Sequence, residues 1–220
     1  MILHAVFFYV RYAVSSRDLE EILAERGVTV DHATLNRWVV KFARQIAAHA
    51  QTRKRSTAKS WRMDETYIKV SGRWRYLYRA IDREGNLLDS MLSEHRDKHA
   101  ARRFLRRLID SAGRKPLRMT TDKHPAYTKA IRWIVGRKVL HRHNQYLNNR
   151  MEQNHRGIKQ RYYPMLGFKR FESASRFCTA FDELRNYLRV SATEGEHVPA
   201  DVRRKIFTNK WSTLMTELSA

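Results

Sequence analysis

Asp64, Asp122 and Glu152 are spread along a 220-residue chain whose other charges are mostly positive. Carboxylate oxygens are hard ligands, and two Mg²⁺ or Mn²⁺ ions held by several of them, with positions left for water and phosphate, can carry out phosphodiester chemistry. One ion lowers the pKa of an attacking water while the other stabilises the leaving 3′ oxygen. Read singly, each acid also has a plainer role. Asp64 falls mid-strand, where a carboxylate must be desolvated or paired, and an ion pair with a nearby arginine accounts for it. Strand alternation puts Arg62, Asp64 and Thr66 on one face and Trp61, Met63, Glu65 and Tyr67 on the other, so Glu65 is not expected to share a site with Asp64. Asp122 follows a short strand and precedes Lys123-His124-Pro125. It can cap a helix, or serve as a functional group at a strand's carboxyl end. Glu152, His155, Arg156 and Lys159 recur at helical spacing, which also describes a solvated stripe with a favourable Glu-to-Arg pairing.

The elements that must position these acids follow from periodicity. Ile2, Leu3, Val6, Phe7 and Val10 recur as on a helix. The run Met1–Val10 is too short to span a bilayer and has no basic leader, so it is read as a packing helix of a soluble protein. Ser15 and Asp18 form a capping-box start, with Leu19, Ile22 and Leu23 as the buried stripe and Gly27 as the stop. A further helix buries Leu35, Trp38, Val39 and Phe42 and shows His32, Thr34, Asn36, Arg37 and Lys41. The pair makes a helix-turn-helix whose second helix can read a major groove through Thr34, Asn36, Arg37 and Lys41, or an ordinary helical hairpin. Residues 51–60 lack apolar periodicity and read as a basic linker in which Arg53, Lys54 and Arg55 track phosphates or are simply solvated.

From Trp61 the period changes to two. Trp61–Val70, Arg73–Asp82 and Asn86–Ser93 are separated by Ser71-Gly72 and Arg83-Glu84-Gly85 and predict an antiparallel meander, with Trp74, Tyr76 and Tyr78 on one face as core. A helix over Lys98–Ile109, a strand over Leu117–Thr121, a helix over Tyr127–Ile134, a strand over Lys138–His141 and a helix over Asn148–Arg161 follow. The order βββαβαβα predicts an α/β fold with a mixed sheet, preceded by a small all-α domain.

Composition narrows the partners. The chain has 44 Lys+Arg against 22 Asp+Glu, a formal charge of +22, which makes nucleic acid the expected partner. Residues 191–220 hold as many acids as bases, so the excess lies in residues 1–190. Cys178 is the only cysteine, which excludes an intramolecular disulfide and a cysteine-based zinc site and suits a reducing cytosol. A zinc site on His141, His143 and His155 lacks a fourth ligand, and the first two read better as strand-edge polar residues.

Several segments together carry a family resemblance. They are Trp61-Arg62-Met63-Asp64-Glu65-Thr66-Tyr67-Ile68-Lys69-Val70, Trp74-Arg75-Tyr76-Leu77-Tyr78-Arg79-Ala80-Ile81-Asp82 and Thr121-Asp122-Lys123-His124-Pro125-Ala126-Tyr127, followed by Tyr146-Leu147-Asn148-Asn149-Arg150-Met151-Glu152-Gln153-Asn154-His155-Arg156 and Met165-Leu166-Gly167-Phe168. In this order, over roughly residues 2–190, the chain resembles insertion-sequence transposases of the IS6 family. The resemblance implies an RNase H-like core, Asp64, Asp122 and Glu152 as a metal-holding DDE triad, and Lys159 as a DNA contact beside His155 and Arg156. It further implies 3′-end cleavage, strand transfer and cointegrate formation on double-stranded DNA, at terminal inverted repeats and a target. A homodimer or higher oligomer in the bacterial cytoplasm, associated with the nucleoid, is expected.

The expected layout is a helix-turn-helix domain over 1–50, a linker over 51–60, the catalytic domain over 61–190 and an atypical tail over 191–220. A helix-turn-helix regulator, an inactive remnant and a nuclease that stops after hydrolysis are the rival expectations.

Overall fold

The computed structural model describes residues 1–54, 57–122, 125–143, 149–165, 167–190 and 198–219. The chain forms two compact units, one built from Met1–Lys54 with Ile158–Ala220 and the other from Arg55–Gly157. The first unit therefore takes its residues from two separate stretches of chain.

The second unit is a five-stranded sheet in the order β3-β2-β1-β4-β5, where β1 is Ser60–Val70, β2 Arg73–Asp82, β3 Leu87–Ser93, β4 Arg118–Thr121 and β5 Leu140–His143. The first three strands run antiparallel, and β4 and β5 add in parallel. Parallel addition needs a crossover, and α4 (Lys98–Ala112) and α5 (Pro125–Ile134) supply it. This is the mixed sheet expected from the element order, in the RNase H-like arrangement that the family resemblance implies.

The β1–β2 turn is a two-residue hairpin. Ser71 (φ 50°) and Gly72 (φ 76°) are both left-handed, the conformation whose twist matches flanking strands, and Val70 pairs with Arg73. Trp61, Met63, Tyr78, Phe104, Leu108 and Ile131 belong to one buried cluster that joins a face of the sheet to α4 and α5. Each large apolar side chain so covered contributes roughly 1.5–3 kcal/mol.

Two of the arginines on α4 also bind the sheet. Arg107 donates two hydrogen bonds to buried Asp89 (2.7 and 3.1 Å), and Arg103 donates to Ser93 Oγ (3.1 Å). Asp97 caps the start of α4 by accepting from the Ala100 N–H, and Gly113 ends it in the left-handed conformation.

The other unit is helical: α1 (Ile2–Arg11), α2 (Ser16–Ala24), α3 (His32–Thr52), the end of α6 (Asn149–Tyr162), α7 (Phe171–Leu188) and α8 (Ala200–Ser219). The predicted capping box at Ser15 and Asp18 is formed in both directions. Asp31 caps α3 through the Thr34 N–H.

The buried face of α3 differs from the predicted one. Leu35 is buried, but Trp38, Val39 and Phe42 are only partly covered, and Ala43, Ile46, Ala47 and Ala50 complete the stripe. The helix is longer than its aromatic half suggested, and its small residues allow it to pack along α7.

The start of the predicted linker, residues 51 and 52, is likewise the end of α3. Beyond it, Lys54 donates to buried Glu183 on α7 (2.6 Å), and Arg53 pairs with Glu217 on α8. Phe7 of α1 meets Trp211 of α8 at 3.8 Å between ring centroids.

Candidate active site

Parallel pairing of β1 with β4 sets Ser60 against Arg118, Trp61 against Met119 and Arg62 against Thr120. Continuing that register by two residues brings Asp64 level with Asp122, just past the end of β4. One carboxylate oxygen each from Asp64, Glu65 and Asp122 lie within 4.8 Å of one another. The structure thus brings together two of the predicted acids and corrects the expectation that Glu65 does not share a site with Asp64. Glu65 does root on the opposite face of β1, among buried residues, yet its longer side chain brings its carboxylate to the cluster. Alternation predicts where a Cβ points, not how far a side chain reaches.

Arg96, in the loop between β3 and α4, ties the group together. Its Nε donates to Glu65, its Nη2 donates to Asp122 Oδ2 (3.1 Å) and its Nη1 donates to Tyr67 Oη (3.3 Å). Tyr127 Oη, from α5, donates to the other Glu65 oxygen. The Asp64 Oδ1 atom accepts from the Glu65 N–H (2.9 Å).

At an effective dielectric of about 20, two carboxylates this close repel by ~3 kcal/mol. Arg96 offsets much of this repulsion, and a proton or a cation at the cluster relieves it further. The Glu65 carboxyl responds: burial pushes its pKa up to about 7, Arg96 opposes that rise, and Asp64 and Asp122 reinforce it.

The flanks of the cluster carry further polar groups. Across β1–β2, Arg79 stands directly opposite Asp64, so its cationic side chain shares the Asp64 face. On the other side, His141 and His143 lie on β5, at the end of the strand order. The His141 Nε2 atom lies 2.9 Å from Thr121 Oγ1, and the two imidazoles are 4.2 Å apart.

Glu152 belongs to α6, but its side chain lies outside the described residues. Farther along α6, His155 is buried, Arg156 exposed and Lys159 partly covered. Of the predicted groove readers, Asn36, Arg37 and Lys41 are exposed on α3, and Thr34 Oγ1 accepts from Arg37 Nη2 (2.7 Å). Arg53 and Lys54 are engaged within the helical unit, and Arg55 lies outside the described residues.

Glu65, Arg96 and Tyr127 were not singled out from the sequence as functional residues. Glu65 adjoins Asp64 in the first of the family-like segments, and that adjacency is the signal in the sequence that points to it. Arg96 had no signal beyond its charge in a chain full of cations.

A family profile described as a DDE domain matches residues 58–191. The chain is similar to the transposase for insertion sequence-like element IS431mec of Staphylococcus aureus, with 45% identity over 161 residues covering 71% of each chain. It is similar to the same extent to the transposase for insertion sequence element IS257 in transposon Tn4003 of Staphylococcus aureus. Among solved structures, the HTLV-2 integrase catalytic core domain in complex with magnesium shows a TM-score of 0.46 at 15% identity, over 70% of this chain and 99% of that one.

Proposed function

The chain belongs to the IS6 family of DDE transposases, and we propose that it binds the terminal inverted repeats of an insertion sequence, cleaves their 3′ ends and joins them to target DNA with cointegrate formation. Asp64, Asp122 and Glu152 are the residues assigned to hold two divalent ions, Mg²⁺ or Mn²⁺, with Glu65 in reach of the same centre. The observation that supports this most directly is the convergence of the Asp64, Glu65 and Asp122 oxygens where β4 ends. A donor set made only of carboxylates suits a hard cation, and the mutual repulsion of the acids is relieved by one. The metal, when bound, supplies Lewis acidity and lowers the pKa of an attacking water.

The chain's own residues do the rest. Arg96 donates to both Asp122 and Glu65, and Tyr127 donates to the other oxygen of Glu65, so the carboxylates are oriented before substrate arrives. Preorganised donors and acceptors of this kind cost little reorganisation at the moment of reaction. Asn36, Arg37 and Lys41, exposed on α3 after a capped α2, are the proposed readers of the repeat. Pairing two DNA ends calls for a homodimer or larger assembly, and the proposed location is the bacterial cytoplasm at the nucleoid. No described helix is long and apolar enough to cross a membrane.

The test is the Asp122→Asn variant, assayed with Mg²⁺ on DNA carrying terminal repeats. Nicking and joining should be lost while duplex binding, read by electrophoretic mobility, persists. Joining at the wild-type rate would take Asp122 out of the centre.

A further inference from the structure

The β1–β2 hairpin extends the face of the sheet that carries Glu65 towards a tip at Ser71-Gly72. On that face Tyr67 pairs across the strands with Tyr76, and Lys69 pairs with Trp74. Opposed residues share a face, so alternation correctly grouped Trp74, Tyr76 and Tyr78. Their depth is another matter. Tyr78 is buried in the core and Tyr76 is partly covered, whereas Tyr67 keeps 41% and Trp74 55% of its surface in water. Expecting Trp74 in the core is therefore corrected: the hairpin carries it beyond the cover that α4 and α5 supply.

These rings form a connected group. Tyr67 and Tyr76 meet edge-on at 5.4 Å between centroids, and Tyr67 and Trp74 meet edge-on at 6.2 Å. Lys69 Nζ lies 5.8 Å from the centre of the Trp74 ring. From Tyr67 to Tyr76 the hairpin contains three cations, Lys69, Arg73 and Arg75, and no acid. Arg75 is paired with Glu94, and Arg73, opposite Val70, is exposed on the other face of the tip, which leaves Lys69 as the exposed cation beside the rings. The inner end of the group touches the carboxylate cluster, because the guanidinium that binds Glu65 and Asp122 also donates to Tyr67 Oη.

We infer that the Tyr67–Trp74–Tyr76 face is a stacking site for unpaired bases of the DNA strand whose phosphate lies at the carboxylates. This rests on the reading of DNA as the substrate. Cations without acids select a polyanion, and exposed aromatic rings offer the stacking surface that single-stranded nucleic acid uses. In an intact duplex the base faces are already stacked on one another, so the ligand is a frayed or unpaired end. The two-residue turn sets the strand register, so the rings are placed in advance of binding.

The experiment compares the full chain on two fluorescein-labelled probes at one salt concentration: a blunt duplex, and the same duplex extended by a short unpaired oligothymidine tail. Wild type should prefer the tailed probe. Trp74→Ala should weaken binding to the tailed probe about tenfold and leave the blunt one unchanged, the size expected for one base–aromatic stack. Trp74→Phe should keep the preference yet lose the quenching of indole emission that the tail produces in wild type.

An equal loss on both probes, or no loss on the tailed one, overturns the inference while duplex binding itself stands. A fall in the sedimentation mass of the free protein on Trp74→Ala assigns the face to contact between copies of the chain and overturns it too. Absence of binding to either probe removes the DNA reading, and this inference with it.

Discussion

Burial, with the neighbouring His143, pulls the His141 pKa from its ordinary 6.5 down to about 4. In the fold its ring stays neutral beside Thr121, whereas in the unfolded chain it takes up a proton near its ordinary value. The unfolded state therefore binds more protons as pH falls, and the stabilising contribution of His141 is present above about pH 6.5 and lost as pH drops through about 4. The ring is only partly buried, so the effect is modest. Thermal midpoints followed by circular dichroism should decline across that window, and His141→Gln should flatten part of the decline. An unaltered pH profile in the variant would show that His141 does not couple protonation to stability. Glu65 makes a different point at the same scale. Its position on β1 was legible from period two, but the approach of its carboxylate to Asp64 depends on side-chain length, on Arg96 and on Tyr127, and those partners come from a loop and a helix distant in sequence.

The elements were more legible than the contacts between them. The β1–β2 hairpin announced itself because Ser71-Gly72 interrupts two alternating runs, and the α2 start did so because Ser15 and Asp18 satisfy each other's backbone donors. Local rules suffice where the hydrogen bonds are local. The second half of α3 was missed because Ala43, Ala47 and Ala50 carry too little apolar surface to mark a stripe, although they let α7 approach closely. Trp74 is exposed although it shares a face with core residues, because alternation fixes a face and says nothing of how far the covering helices extend. The exposed side of α3 can be tested as an element. Arg37→Ala should cost about 1–3 kcal/mol in binding to terminal repeats, the worth of a lost base contact, and less on random duplex. Equal weakening on both, measured by fluorescence anisotropy, would reduce Arg37 to a phosphate contact.

For the molecule as a whole, a charge of +22 should make duplex binding strongly dependent on salt, because each phosphate neutralised releases condensed counterions. Between ~50 and ~200 mM salt the affinity for random duplex should fall by about a thousandfold or more, linearly on logarithmic axes. A flat response would mean that the excess charge lies away from the DNA. The layout of the chain bears on a different property. The sheet unit is one continuous stretch, residues 55–157, whereas the helical unit needs residues 1–54 and 158–220 together. On the ribosome, α3 is synthesised well before α7, the helix it packs along. With α1 and α2 as its only earlier partners, it must wait for α7 while the whole sheet unit emerges. Closing so long an interval is entropically slow, and exposed apolar surface in the meantime invites association with other chains. The insertion of one unit into the other thus sets an order of assembly, in which the sheet can be complete before the helices that flank it in sequence have found each other.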